Sequence, residues 1–407
     1  MRWVIFVVLY VLMTFYSHQA VKVAFKSVWF QYFLIAMSFL VLGNFVYHWV
    51  QPSVGKVLSP SKSYALGFVL AFVSAELILV VFMLGEDIIR LFSATYHRFF
   101  TPDSSFHLPS RRAFIGKLAI GIAAIPFAGL IYGMFKGKYD FRVLSYTLEF
   151  DDLPEAFDGY RITQISDIHS GSFDNHKKIA YAVDLINEQK SDTILFTGDL
   201  VNNLAAEMDN WSDLFSTLKA KDGVYSILGN HDYGDYMTWP SAKEKVDNLD
   251  RLKEIQAQMG WKLLLNEHTS ITRGEDKINI VGVENWGKGG FVKHGDVDKA
   301  AEGLRKEDFK ILLSHDPSYW QEKIKSDEKH YQLTLSGHTH GMQFGIEIPG
   351  WIKWSPIQYR YENWAGIYKE FGRYINVNRG FGYLGYPGRV GIWPEITVIK
   401  LIKRKEI

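Results

Sequence analysis

The sequence predicts a bundle of about four membrane-crossing helices followed by a layered α/β domain. Three observations predict it. First, charge is unevenly placed. The chain holds 45 Lys and Arg against 44 Asp and Glu, yet residues 1–138 hold twelve bases and four acids (Glu76, Glu86, Asp87, Asp103). The remainder therefore holds 33 bases and 40 acids. A basic apolar segment beside an acidic one suits contact with a membrane or a polyanion. Second, four apolar stretches of near-membrane length precede residue 140. Third, short apolar runs beyond it alternate with amphipathic helical ones, the pattern of strands and helices stacked in layers. A hydrophobic share of 47% excludes a disordered chain, and the absence of Cys excludes a disulfide scaffold, a thiolate metal site and a Cys nucleophile.

The apolar stretches run at about residues 3–20, 28–50, 65–84 and 118–135. Each approaches the ~20 residues that cross the hydrocarbon core. Trp3, Trp29, Trp49, Tyr132 and Lys136 mark their ends, as interfacial anchors do. Buried helices of a soluble domain would carry more acids. Glu76 lies mid-stretch, and the plainest reading is a protonated carboxyl bonded to Asn44 or His48 of a neighbouring helix. Seven bases flank one side of such a bundle and six, Lys56 among them, the other, too even a split to orient it. Ser110-Arg111-Arg112-Ala113-Phe114-Ile115-Gly116-Lys117, ahead of an apolar run, is similar to a twin-arginine export signal. On that reading the rest of the chain lies outside the cytoplasm.

The expected domains are residues 1–138, membrane-embedded, and 139–407, the α/β unit. An opening strand at 141–150 shows apolar/polar alternation. Strands are expected at 161–165, 193–196 and 224–228, with helices near 177–188, 206–218 and 242–259. Further strands follow at 262–265, 270–273, 277–283, 310–313 and 332–335, and a last one at 396–402.

Ligand-type residues sit where these strands stop: Asp167 and His169, Asp199, Asn230-His231-Asp232, His315, then His338 and His340. Loops at the carboxyl ends of strands converge, so sites assemble there. The donors are oxygen and imidazole, which suit Mn, Fe, Zn or Ni. In Asp-x-His and His-x-His on extended backbone, both side chains share a face and can grip one ion. A lone Gly-Asp is ordinarily a turn, but five pieces in order, each ending a strand, argue for a site.

Together Asp167-x-His169, Gly198-Asp199, Gly229-Asn230-His231-Asp232, His315 and Gly337-His338-Thr339-His340 resemble the calcineurin-like metallophosphoesterase signature. The resemblance spans about 146–401 and is strongest to a membrane-associated bacterial branch. Ser166-Asp167-Ile168-His169, Gly337 to Gln343, and Arg389 with Pro394-Glu395-Ile396 carry it. Met342, where a second Gly is usual, departs from the pattern. The resemblance implies a four-layer αββα sandwich and two divalent ions (Mn, Fe or Zn). It implies that Asp167, His169 and His340 hold one ion, Asn230, His315 and His338 the other, and that Asp199 bridges them. It implies further that His231 contacts phosphate and protonates the leaving oxygen, with Asp232 orienting it. Two such ions clamp phosphoryl oxygens and acidify a bridging water for in-line attack, and His has the nearest suitable pKa for a leaving oxygen.

The expected activity is hydrolysis of a phosphodiester or pyrophosphate on a lipid-linked or envelope substrate. The branch implies activity like that of a UDP-2,3-diacylglucosamine pyrophosphatase. Asn202 and Arg389 are candidate substrate contacts. The Gly350–Trp364 stretch holds three Trp and two Tyr with Lys353 and Arg360. Its rings either pack as core or dip into a head-group zone. The expected location is a bacterial cytoplasmic membrane, with the bilayer and a phosphorylated substrate as partners. Acidic balance argues against nucleic acid. A catalytically inactive receptor or scaffold on the same fold is the alternative, and it predicts a missing ligand.

Overall fold

The computed structural model describes residues 2–51, 58–100 and 109–404. Lys56 and Asp103, counted above in the charge balance, lie outside the described residues. The chain forms two compact units, one holding the four long helices and one running from Lys136 onward.

The helices are α1 (Arg2–Ala24), α2 (Val28–Val50), α3 (Pro60–Phe100) and α4 (Pro109–Phe135). All four are long and apolar enough to cross a membrane. Their polarity is inverted relative to a soluble bundle. Val4, Leu9, Leu40, Leu77, Val81 and Ile125 point outward, while Thr14, Ser17, Ser38 and Glu76 are buried inside. With hydrocarbon outside, only the interior offers partners for polar groups. Glu76 does not use Asn44 or His48. Its Oε1 accepts from Ser38 Oγ at 2.7 Å and from Thr14 Oγ1 at 3.0 Å. Asn44 lies six residues beyond Ser38, about 9 Å along the axis, and so at another depth. The third span is longer than expected: α3 has 41 residues, about 60 Å, twice the hydrocarbon thickness. Its second half carries Glu86, Asp87 and Arg90. Arg112 of the paired arginines bonds Asp87, which also accepts from Tyr16 at 2.7 Å.

Among the described residues fourteen strands follow: β1 (Arg142–Phe150), β2 (Arg161–Ile165), β3 (Thr193–Phe196), β4 (Val224–Ser226), β5 (Trp261–Leu263), β6 (Glu267–Arg273), β7 (Asp276–Gly282), β8 (Lys310–Leu313), β9 (Leu333–Ser336), β10 (Ile346–Ile348), β11 (Ile352–Trp354), β12 (Gly366–Glu370), β13 (Arg373–Val377) and β14 (Glu395–Lys403). The helices among them are α5 (His176–Glu188), α6 (Ser212–Phe215), α7 (Ala242–Gln258), α8 (Val297–Ala300) and α9 (Ser318–Glu322). Two six-stranded sheets form, in the orders β1-β14-β2-β3-β4-β5 and β12-β13-β9-β8-β7-β6.

Alternation along the strands builds three apolar layers. Ile162, Leu195 and Ile399 of one sheet meet Ile280, Ile311 and Leu335 of the other. Ile165, Ile194 and Phe196 face the opposite way, onto Ile179 and Val183 of α5 and Leu252 of α7. Val281, Leu312 and Ile375 face Val297, Tyr319 and Trp320. The architecture is the four-layer αββα sandwich. The helix expected near 206–218 is instead a turn at Ala205–Met208 and the short α6. The break lets Trp211 turn inward, 8% exposed, against Phe173. Strands β2, β3, β4, β8 and β9 are parallel to their neighbours within each sheet centre, so their carboxyl ends open at one edge.

Candidate metal centre

The loops after those five strands bring the predicted ligands together. Asp167, His169 and His340 form one group and Asp199, His315 and His338 another, with ligand atoms in each group within 4.8 Å of one another. Asn230 joins the second group, its Oδ1 2.8 Å from His338 Nδ1 and 3.1 Å from His315 Nε2. Asp199 Oδ2 lies between the groups, 3.5 Å from His169 Nε2 and 3.2 Å from His315 Nε2.

The backbone is bent to aim these side chains. Asp167, His169, Asp199, His338 and His340 are all left-handed, at φ 52°, 48°, 60°, 70° and 50°. Each such residue costs on the order of 1–3 kcal/mol, and strain of this kind gathers at functional sites. Two glycines let the loops touch. Gly198 has φ +93°, and a Cβ at Gly229 would collide with the Asp199 carboxylate. Met342 keeps the left-handed turn that a glycine would make there (φ 55°), with its side chain outside.

Hydrogen bonds set the tautomers. The Thr197 carbonyl can only accept, so Nδ1 of His315 carries a proton (2.7 Å) and Nε2 is the nitrogen turned to Asp199. His169 Nδ1 lies 3.1 Å from Asn202 Oδ1, and its Nε2 is buried with no hydrogen-bond partner. His338 is reversed. Its Nε2 meets Tyr361 Oη at 2.9 Å and Asp316 Oδ2 at 3.4 Å, which turns Nδ1 inward.

Electrostatics agree. Burial pushes His169 down to about 3 and lowers His338 and His340 as well, so three rings are neutral donors. Burial also pushes Asp167 up to about 6. Burial opposes charge on Asp199 too, but the His315 and His231 rings hold its carboxyl well below the usual range. His315 rises to about 10 against burial, because Asp199 faces it. Three neutral imidazoles and a His315 ring that would give up its proton to a cation, gathered on an ionised carboxylate with His169 Nε2 left unpartnered, are a donor set that fits divalent cations. His231 and His338 are half-buried, whereas Asp167, His169, Asp199 and His315 are sealed. The site therefore opens on the His231 and His338 side.

Four sequence expectations need correction. Asp167-x-His169 and His338-x-His340 are left-handed rather than extended, and His338 and His340 join different groups instead of gripping one ion. Asp232 does not orient the His231 ring. Its carboxylate accepts the backbone N–H groups of Asp199, Leu200, Val201 and Gly229 at 2.8–3.2 Å. It ties the Asp199 loop to its own loop. The partner of the His231 ring is the Asn202 carbonyl, 2.8 Å from Nδ1. Asn202 does not face the open side either. It is 2% exposed and supports two histidines, His169 by its side chain and His231 by its backbone. Arg389 is neither a phosphate fork nor a surface ion pair. It is fully buried, donates to the Gly380 and Gly382 carbonyls, and lies 3.2 Å from His340 Nδ1. In this structure all three bond to the candidate ligands or to the loops that carry them.

Sequence reasoning also missed Tyr361, Asp316, Tyr236 and Glu207. Asp316 adjoins His315, which is a usable signal. Tyr361 sits inside the aromatic stretch, whose rings divide: Tyr361 and Trp364 pack as core, while Trp351 and Tyr359 are exposed. Tyr236 Oη accepts from Asn230 Nδ2 at 2.8 Å, and Glu207 accepts the backbone N–H groups of Asn202, Asn203 and Leu204. Nothing local in the sequence marks either.

Residues 1–138 match the family described as "Probable Calcineurin-like phosphoesterase, transmembrane domain", and residues 160–342 match "Calcineurin-like phosphoesterase". Over 299 residues the chain is 30% identical to "Uncharacterized metallophosphoesterase YkuE" of Bacillus subtilis, covering 72% of this chain and 97% of that protein. It is 28% identical over 281 residues to "Transmembrane protein with metallophosphoesterase domain" of Danio rerio, covering 67% of this chain and 60% of that one. It is also 28% identical over 295 residues to "Phosphodiesterase YaeI" of Escherichia coli, covering 72% and 99%. With its four apolar helices and its paired ligand groups, this chain belongs to the calcineurin-like metallophosphoesterases, as a membrane-associated member.

Proposed function

We propose that this protein hydrolyses a phosphodiester or pyrophosphate bond on a lipid-linked substrate. Residues 139–407 are the catalytic unit and residues 1–138 its anchor. The observation that carries this reading is the junction of two ligand groups at Asp199, with neutral imidazole nitrogens turned inward and His169 Nε2 unpartnered. Asp167, His169 and His340 would hold one divalent ion (Mn, Fe or Zn), Asn230, His315 and His338 the other, and Asp199 both. Ions held there supply Lewis acidity at phosphoryl oxygens and an acidified water for in-line attack.

The chain's own residues do the rest. Asn230 contributes a neutral oxygen, which keeps the site from repelling an anionic phosphate. Asp232 and Glu207 pin the loops that carry Asp199 and Asn202. His231, on the open side, gives its Nδ1 proton to the Asn202 carbonyl, which steadies the ring when it is protonated. Its Nε2 is then the nitrogen that delivers a proton to the leaving oxygen. No expected ligand is missing, which speaks against an inactive scaffold.

The test is Asp199→Asn with bis(p-nitrophenyl) phosphate. A loss on the order of 10³ or more supports the reading, because removing a charge that serves the transition state costs this much. Unchanged hydrolysis would falsify it.

For location we propose a bacterial cytoplasmic membrane with the catalytic unit outside, on the strength of Arg111 and Arg112 ahead of the last span. Protease access to a C-terminal tag decides the substrate subclass. Cleavage in intact spheroplasts keeps envelope phospholipids and polyprenyl pyrophosphates. Cleavage only in inverted vesicles reverses the orientation and favours a diacylated sugar-nucleotide pyrophosphate of the UDP-2,3-diacylglucosamine kind.

A further inference from the structure

The hairpin of β10 and β11 has its polarity reversed. Ile346 pairs with Trp354, Glu347 with Lys353 and Ile348 with Ile352. Cross-strand partners share a face, and neighbours along a strand alternate. One face is therefore Ile346, Ile348, Ile352 and Trp354, and the other is Glu347 and Lys353. A hairpin lying on a water-soluble domain turns its apolar face inward. Here the charged side chains bond back to the domain, although Lys353 remains exposed and Trp354, on the apolar face, is half-buried beside Phe344. Glu347 accepts from the buried Arg379 guanidinium at 2.9 and 2.5 Å, and Lys353 donates to the Ala365 carbonyl beneath it. Ile346, Ile348 and Ile352 are 50%, 43% and 40% exposed, and Trp351 at the turn is 78% exposed. Met342 and Tyr359, which flank the hairpin in sequence, are exposed as well. Isolated exposed apolar residues are ordinary, but a contiguous patch marks a binding surface.

Two facts identify the occupant. The helical unit of this chain shows the same inversion, apolar outside and polar within, and there the surroundings are hydrocarbon. The chain beyond residue 138 is acidic, 33 bases against 40 acids, so charge attraction to an anionic surface does not bring this hairpin to it. Aliphatic insertion with Trp and Tyr at head-group level does. Both roots of the hairpin are fastened to the metal centre. Met342 lies two residues past His340, Ser355 Oγ donates to the Gly341 carbonyl at 2.8 Å, and Tyr361 Oη meets His338 at 2.9 Å.

We propose that Ile346, Ile348, Trp351 and Ile352 insert into the head-group boundary of a bilayer, which presents the metal centre to phosphate borne on lipid. Insertion stands by itself; the lipid phosphate rests on the function proposed above.

The chain has no Cys, so Trp351→Cys takes a single environment-sensitive fluorophore in full-length protein. It is reconstituted in phosphatidylethanolamine–phosphatidylglycerol vesicles. Phe371→Cys, at another exposed position (70%), is the control. The label at 351 should be quenched by spin-labelled lipid and spared by aqueous iodide, with the reverse at 371. Iodide quenching at both positions overturns insertion. Shielding at 351 from both quenchers means a protein partner, and overturns it too. The Trp351→Ser/Tyr359→Ser variant should hydrolyse bis(p-nitrophenyl) phosphate normally and a vesicle-borne phosphodiester about tenfold more slowly. Equal loss on both substrates makes the patch a folding element and ends the proposal. Lipid quenching with equal, unreduced rates on both substrates keeps insertion and rejects the lipid-linked substrate.

Discussion

The two units bury carboxylates in opposite ways. In the helical unit, Glu76 is met by Ser38 and Thr14, and Ser38 bonds Tyr10 in turn. Every partner is supplied by the protein. In the α/β unit, Asp167 and Asp199 accept the backbone N–H groups of His338 and His231 but also face imidazole nitrogens across 3.2–3.5 Å, and one of these, His169 Nε2, has no hydrogen-bond partner. A buried polar group with its partners present is structural glue; one left short has room for a species yet to bind. The cluster at Glu76 reads as packing and the cluster at Asp199 as a metal centre, although both hold buried acid.

Substitutions that act on one side of this comparison sharpen it. The largest expected effect after loss of Asp199 is at His231. His231→Ala should lower kcat by about 10²–10⁴ with bound metal unchanged, since general-acid catalysis contributes that much; metal analysis beside single-turnover rates checks it. Loss of metal along with rate would make His231 a structural residue. Next is Asn202→Ala, which removes the acceptor that fixes the His169 tautomer. Such outer partners are worth about 10–100-fold in metal affinity, readable by competition with a chelating dye. Asn202→Asp keeps an acceptor and should restore most of it.

A smaller effect is thermal. Metal at about a hundred times its Kd should stabilise the α/β unit by about 2.7 kcal/mol, seen as a raised Tm that chelator reverses. Asp199→Asn should lose most of this rise. Smallest is Glu76→Gln, which keeps the hydroxyl partners and should change stability by about 1 kcal/mol or less, with hydrolysis untouched. A large loss of hydrolysis there would break the comparison and give the helical unit a part in turnover.

Much of this molecule was legible along the chain. The spans, the alternating strands and helices, and all seven candidate ligands follow from patterns a few residues long. Hydrocarbon thickness sets the first, side-chain periods of 2.0 and 3.6 the second. The candidate ligands stand out because each follows a strand end; packing of the two sheets then brings those ends to one edge of the sandwich. The misreadings concern groups whose meaning depends on a distant neighbour. Arg389 looked like a free fork because backbone carbonyls leave no mark in a sequence; the Gly380 and Gly382 carbonyls hold it, and His340, 49 residues away, lies against it. Asp232 looked like a partner for adjacent His231, but its oxygens had already been claimed by the Asp199 loop, about 32 residues back.

The sequence by itself determined which residues can bind metal and which segments can enter a bilayer, because donor chemistry and apolar length are local properties. Only the tertiary structure decided which nitrogen of each histidine points inward, which residues hold them, and which face of the β10–β11 hairpin meets solvent. Those depend on strand register and on contacts between remote loops, and a shift of one residue in register would exchange the hairpin's apolar and charged faces.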